Sequence, residues 1–155
     1  MSPLSPSSPR FQRRLIACAF ALLAGSCHAL EFKSVANAPA VLFDAPSAKG
    51  KKLFIAPRGM PVEVVLTYGE WSKVRDASGG LSWLESKALS GKRNVVVNVA
   101  SAKIRASNED GALIVFSADK GVLLELAEPP AAGWLKVKHR DGLSGYVKTS
   151  EVWGL

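Results

Sequence analysis

The chain has 155 residues, of which 48% are hydrophobic and 21% charged, and Lys and Arg outnumber Asp and Glu by 20 to 13 for a formal net charge of +7. That balance excludes a disordered polymer and a collagen-like repeat. The length admits one ordinary domain or two very small ones.

In chain order, the first segment, residues 1–29, reads as a signal peptide. Arg10, Arg13 and Arg14 form a positive n-region, the ten apolar or small residues from Leu15 to Ala24 follow, and small residues lead to Cys27-His28-Ala29. A bilayer-spanning helix needs roughly 20 apolar residues, so this run is a signal core and not an anchor. Cleavage after Ala29 predicts a periplasmic or secreted mature chain beginning at Leu30. It removes both cysteines and one of the two histidines and takes the formal charge from +7 to +4. The alternative is a lipoprotein: Ala24-Gly25-Ser26-Cys27 loosely matches a lipobox, which would anchor the chain to a membrane through Cys27. A membrane is expected as a partner only in that case. The mature surplus of positive charge favours anionic surfaces such as cell-wall polymers. Export argues against nucleic acid.

The mature part carries an internal repeat. Gly59, Val62 and Val64 match Gly121, Leu124 and Leu126 at a spacing of 62 residues, as Leu53-Phe54 match Val115-Phe116. Further on, Trp71-Ser72-Lys73-Val74-Arg75 matches Trp134-Leu135-Lys136-Val137-Lys138 at a spacing of 63, and Gly79, Trp83 and Leu84 then meet Gly142, Tyr146 and Val147. Each copy reads as short β-rich runs, Val62 to Leu66 and Val122 to Leu126 among them, with no segment of helical period. Thr67 to Glu70 and Pro129 to Gly133 are the loops that follow those runs. Asp76 to Gly80 and Arg140-Asp141-Gly142 are hairpin turns. Glu85 to Leu89 and Lys148 to Val152 each have room for one helical turn before a last strand. The copies run from about Glu31 to Ser90 and from Asn94 to Leu155, giving domains at 30–92 and 93–155. Units of this size bury too little surface to be robust alone, so the two are expected to pack together.

The second copy contains Lys103-Ile104-Arg105-Ala106-Ser107, Gly121-Val122-Leu123-Leu124-Glu125-Leu126, Gly133-Trp134-Leu135-Lys136-Val137 and Gly142-Leu143-Ser144-Gly145-Tyr146-Val147. This succession resembles the bacterial SH3-like (SH3b) family. The first copy follows it more loosely, with Val41 to Ser47 at the start and Leu81-Ser82-Trp83-Leu84 near the end. The resemblance implies an all-β fold of two tandem SH3-like small β-barrels. It also implies a non-catalytic attachment or targeting role, with peptidoglycan or an envelope protein as partner. Positions where SH3 domains that bind proline-rich helices carry Pro-x-x-Tyr hold Glu85 to Ala88 and Lys148 to Glu151 here, against proline-rich recognition.

An inventory of reactive groups agrees with binding. After cleavage no cysteine remains as a nucleophile, and His139 is the one histidine for a triad or a metal site. It falls beside a hairpin turn and reads as an exposed flanking residue. No catalytic residue, metal or cofactor is expected. The alternative function is a cell-wall hydrolase or its regulatory subunit, since scattered carboxylates are paired only by the fold. On a strand, alternate residues share a face. Trp71, Lys73 and Arg75 therefore lie opposite Val74, and Trp134, Lys136 and Lys138 lie opposite Leu135 and Val137. An aromatic ring flanked by cations suits a sugar or peptide that bears an anionic group, so these six are the candidate ligand-binding residues. The competing reading is that each Trp lids its barrel or lies between the copies, with Trp83 and Tyr146 as packing residues and Trp153 sealing the second barrel. Lys49, Lys51 and Lys52 read as a solvated loop tip.

Overall fold

The computed structural model describes residues 30–36 and 39–155. The signal segment and its alternative lipobox, with Cys27 and Ala29, lie outside the described residues.

The first unit consists of β1 (Glu31–Val35), β2 (Ala40–Phe43), β3 (Lys52–Ala56), β4 (Pro61–Tyr68), β5 (Trp71–Arg75), β6 (Leu81–Glu85), a 3-10 turn (Ser86–Ala88) and β7 (Leu89–Ser90). The second repeats it with β8 (Asn94–Val97), β9 (Ser101–Arg105), β10 (Ile114–Asp119), β11 (Leu123–Leu126), β12 (Trp134–Lys138), β13 (Ser144–Lys148), a 3-10 turn (Thr149–Glu151) and β14 (Val152–Trp153). Each unit is one seven-stranded antiparallel sheet, in the order β3-β2-β6-β5-β4-β1-β7 and the equivalent β10-β9-β13-β12-β11-β8-β14. The two units are therefore the same small barrel built twice.

Strand periodicity explains why. In β5 and β12 every second residue is buried: Ser72 and Val74 in one, Leu135 and Val137 in the other. Seven buried residues form the first core, Val35, Ala40, Leu42, Ala56, Val62, Val74 and Leu84. Their counterparts Val97, Ala102, Ile104, Ala118, Leu124, Val137 and Val147 all lie in the second. Fully burying a Val or Leu side chain contributes about 1.5–3 kcal/mol, so each barrel stands on this conserved set of layers within the chain.

The copies differ where their loops differ. In the first, β4 continues through Thr67 and Tyr68, past a bulge between Val64 and Leu66, to a tight turn at Gly69 with φ of 57°. The first half of the loop expected at Thr67 to Glu70 is thus strand, and Gly69-Glu70 alone make the turn. In the second, β11 stops at Leu126, and Pro129-Pro130, which cannot donate to a ladder, keep the following segment out of the sheet.

The first core is also more polar. Ser72 stands where the second barrel has Leu135, and its Oγ is bonded to that of Ser86 at 2.7 Å. Ser82 is equally buried, but its Oγ has no partner among the described residues. A buried unpaired hydroxyl costs about 1–3 kcal/mol. Ser82→Ala is therefore expected to raise the urea midpoint, by about 1 kcal/mol in stability, whereas Ser72→Ala lowers it. A fall for both variants would mean that the Ser82 hydroxyl is satisfied in solution.

The barrels pack through their first and last strands. Phe32 meets Trp153 edge-on, with ring centroids 5.0 Å apart and planes at 89°. The Arg93 guanidinium lies over the Phe32 ring and donates to the Gly154 carbonyl at 3.0 Å. Asn94 joins both units, its backbone N–H donating to Ser34 Oγ at 3.2 Å and its side-chain amide to the Gly59 carbonyl at 2.8 Å. Trp153 thus belongs to the seam between the barrels, and the expectation that it seals the second barrel is corrected. It pairs with Val96 on the edge of the sheet, which turns its ring toward the neighbouring unit.

Candidate functional site

Each candidate triplet lies on the outward face of a central strand, and the hairpin that follows decides its neighbours. In the first barrel Lys73 is directly opposite Trp83, Trp71 opposite Glu85 and Arg75 opposite Leu81. The Lys73 ammonium stands 5.8 Å from the centre of the Trp83 ring. Trp71 is half-buried because Phe43 packs edge-on against it, with centroids 5.5 Å apart. Arg75 is bonded to the largely buried Glu63 at 2.7 Å, which offsets its charge. Beside this face a hollow of about 500 Å³ opens between β2 and the 3-10 turn, lined by Val41, Phe43, Glu85 and Lys87 among others.

The second barrel repeats the ladder with more cations. Trp134 is opposite Lys148, whose ammonium lies 5.7 Å from the ring centre and is paired to Asp110. Lys136 is opposite Tyr146 and 6.0 Å over its ring, while also bonded to Glu128 at 2.6 Å. That hydrogen bond to Glu128, and then the nearby carboxylate charge, push the lysine pKa up. The bond from Lys148 pulls the Asp110 carboxyl down, so both pairs stay charged near neutrality. Arg105 lies on the far side of Tyr146 and donates to the Ala112 carbonyl at 2.9 Å.

Trp71 with Lys73, and Trp134 with Lys136, are thus brought together on equivalent but separate faces, one per barrel. Neither Trp lies between the copies: the seam is made by Phe32, Asn94 and Trp153. Lys138 departs from its triplet. It is exposed at the far end of β12, opposite Glu125 on one side and Ser144 on the other, where the strand runs out toward the junction of the barrels.

Trp83 and Tyr146, expected as packing residues, are half-buried partners of the lysines on the outer faces. A signal for this was available, since a hairpin centred on Ser78 pairs residues equidistant from it, and Lys73 and Trp83 are such a pair. His139 is less exposed than a turn-flanking residue is expected to be. Its Nδ1 is 2.9 Å from Asp141, its ring centroid is 6.0 Å from that of Phe116, and about a quarter of the side chain meets solvent. The backbone hydrogen bond from Leu143 and then the histidine lower the Asp141 pKa. Among the described residues no three His, Cys, Asp or Glu side chains gather to hold a metal ion.

Two small antiparallel barrels with a single 3-10 turn before the last strand, each showing an aromatic and cationic outer wall, define a tandem SH3-like protein. The chain belongs to the bacterial SH3 domain family, whose model matches it twice, over residues 36–91 and 98–154. No curated protein matches the chain. Among solved structures it is similar to NlpC2 from Trichomonas vaginalis, at 10% identity and a TM-score of 0.38 over 81% of this chain and 48% of that one. NlpC1 from the same organism compares at 11% identity and a TM-score of 0.38, over 83% and 47%. The chain spans about half the length of either protein.

Proposed function

We propose that the protein is an exported, non-catalytic binding module of the bacterial envelope, with barrels at 30–92 and 93–155, and that its ligand is peptidoglycan. The observation that carries the reading is the repetition of one outer-face pattern, Trp71-Lys73-Trp83 in one barrel and Trp134-Lys136-Tyr146 in the other, at the same place in the fold. Half-buried rings give sugar faces a rigid apolar platform, and the ammonium groups over them attract the carboxylates of a stem peptide. The second face has Lys148 and Arg105 where the first has Glu85 and Phe43, but Lys136 and Lys148 are paired to Glu128 and Asp110, so the cations without an ion pair are Lys73 on the first face and Arg105 on the second. An acidic polymer is therefore drawn to both faces.

A single experiment tests both the ligand and the absence of catalysis. The mature chain is mixed with isolated peptidoglycan, sedimented, and run in parallel on a zymogram. Sedimentation without clearing is the expected result. Trp134→Ala is expected to weaken sedimentation about tenfold, because the ring that stacks on the sugar is lost while Lys148 stays in place, with little change in melting temperature. A large fall in melting temperature with binding intact would make Trp134 a packing residue. Clearing that one Glu or Asp substitution abolishes would establish the hydrolase instead. Co-purification of an envelope protein without sugar binding would move the ligand to that protein.

A further inference from the structure

Each sheet ends on a strand that has one neighbour: β3 pairs only with β2, and β10 only with β9. Backbone hydrogen bonds in an antiparallel ladder alternate from side to side, so such a strand leaves about half of its N–H and C=O groups facing outward. The bonds at the strand ends also run inward, with the Lys51 carbonyl accepting from the Asp44 N–H and the Leu113 carbonyl from the Ala106 N–H. Both edges are apolar as well. Lys52 to Ile55 are successive exposed residues, so neither side of β3 is covered there, and Ile55 is 65% exposed. Leu113, just before β10, is 78% exposed, and Ile114 and Val115 are exposed too. An edge that is both open and apolar is a template for another strand.

Charge says which strand fits which edge. Lys49, Lys51 and Lys52 precede the apolar run of β3 and Arg58 follows it, and these four have no ion-pair partner among the described residues. Asp44, in the same hairpin, has its carboxylate on the Lys51 N–H at 2.8 Å. β10 is framed the opposite way, by Glu109 and Asp110 before it and Asp119 at its end, with Lys120 the one cation of that segment. Asp110 is held by Lys148, whereas Glu109 and Asp119 have no ion-pair partner among the described residues. Lysines on an edge strand guard it against a copy of itself, but not against an acidic edge. The spacing agrees with such a match, since Lys49 and Arg58 are nine residues apart, as are Asp110 and Asp119. Set antiparallel with Lys49 toward Asp119 and Arg58 toward Asp110, the two strands bring Leu53 to Val115, Phe54 to Ile114 and Ile55 to Leu113. Leu53 and Val115 are the bulged residues of their strands, so the irregularity of one edge meets that of the other.

We propose that the protein associates with itself head to tail, β3 of one copy adding as an antiparallel strand to β10 of the next. The occupant of each edge is a second copy of this chain. Because the two edges differ, the contact is heterologous: every copy at the end of a row keeps one edge for a further copy, and open chains form. A single strand pair is small beside a stable interface, which buries about 1,200–2,000 Å², so the association is weak and grows with concentration. Rows of copies present many aromatic faces to one extended ligand, which raises avidity. The contact itself does not rest on the identity of that ligand, because Trp71 and Trp134 stand on β5 and β12, inside the sheets and away from both edges.

Sedimentation velocity of the mature chain, from about 10 μM to about 1 mM, is expected to show dimers, trimers and larger species in a series that grows with concentration and shrinks as salt is raised. Two charge-inverted variants assign the edges: Lys49→Glu, Lys51→Glu and Lys52→Glu together, and Glu109→Lys with Asp119→Lys, all at exposed positions. Each alone is expected to associate at least about tenfold more weakly than the unaltered chain, because its two edges then carry like charge. Mixed in equal amounts they are expected to recover association, since an acidic edge of one again meets a basic edge of the other. Recovery also shows that both variants fold. A single monomeric species at every concentration of the unaltered chain overturns the proposal, and so does a series that stops at the dimer, which marks a symmetric contact. It is equally overturned if either variant alone associates as the unaltered chain does, which places the contact on one edge only, or if the mixture stays monomeric. No sugar enters these measurements, so failure here and failure of the peptidoglycan reading are separate results.

Discussion

Gly145→Ala is expected to lower the melting temperature of the second barrel by about 15 °C, while a side chain at the equivalent place in the first barrel is tolerated. A Cβ at 145 would lie 2.6 Å from the Arg105 carbonyl oxygen and 2.6 Å from Ile104 Cγ2, so β9 and β13 must move apart at the point where they pair. Overpacking of this kind costs about 1–3 kcal/mol, and a domain of this size loses roughly 4–8 °C per kcal/mol. The first barrel has Ser82 at that position and keeps it buried. Its facing residue is Leu42 in place of Ile104, and leucine branches one carbon later, which removes the methyl that collides. Ile104→Leu is therefore expected to recover part of the loss caused by Gly145→Ala. The remainder belongs to the carbonyl contact. A thermal melt of both single variants and the double variant measures the coupling. Additive effects would show that the methyl collision plays no part.

The same comparison shows how much was readable in advance. The inward residues of both barrels follow from a period of two and from the spacing of 62 or 63 residues: Val62 with Leu124, Val74 with Val137 and Leu84 with Val147 are buried in both copies. Hairpin turns were legible because Gly79 and Gly142, at φ of 88° and 97°, take conformations that other residues avoid. The cavity lined by residues of both barrels was not legible. Arg58 and Arg140 are far apart in sequence, and only the seam between the barrels brings their loops to one cavity. Nor was the outward placement of Trp83 and Tyr146 read, although strand alternation contained it, because a large aromatic is by default assigned to a core. The role of Trp153 depended on which way an edge strand presents its ring to a neighbouring unit, and no local pattern encodes that.

Phe32→Ala is expected to separate the melting of the two barrels. Phe32 is 8% exposed although it stands on the first strand of the first barrel, because Trp153 covers its edge and Arg93 its face. Truncating a buried phenylalanine costs about 3–5 kcal/mol. Here much of that loss falls on the coupling between units, since two of the ring's covering groups come from the second barrel or the junction. Removing the ring also strips Arg93 of its stacking partner, and its Nε is buried without a hydrogen-bond partner among the described residues. The remaining bridges are the two hydrogen bonds from Asn94 to Ser34 and Gly59, about 1 kcal/mol each, and the exposed Lys92–Glu125 ion pair, about 0–1 kcal/mol. They are too weak to hold two marginal barrels in one cooperative unit. Calorimetry should therefore change from one transition to two, the first barrel melting earlier. Trp153→Ala removes the partner while leaving the first barrel's own residues untouched, and should split the transition in the same way. If Phe32→Ala lowers a single transition and Trp153→Ala leaves it whole, the ring serves only the first core and the barrels are coupled elsewhere.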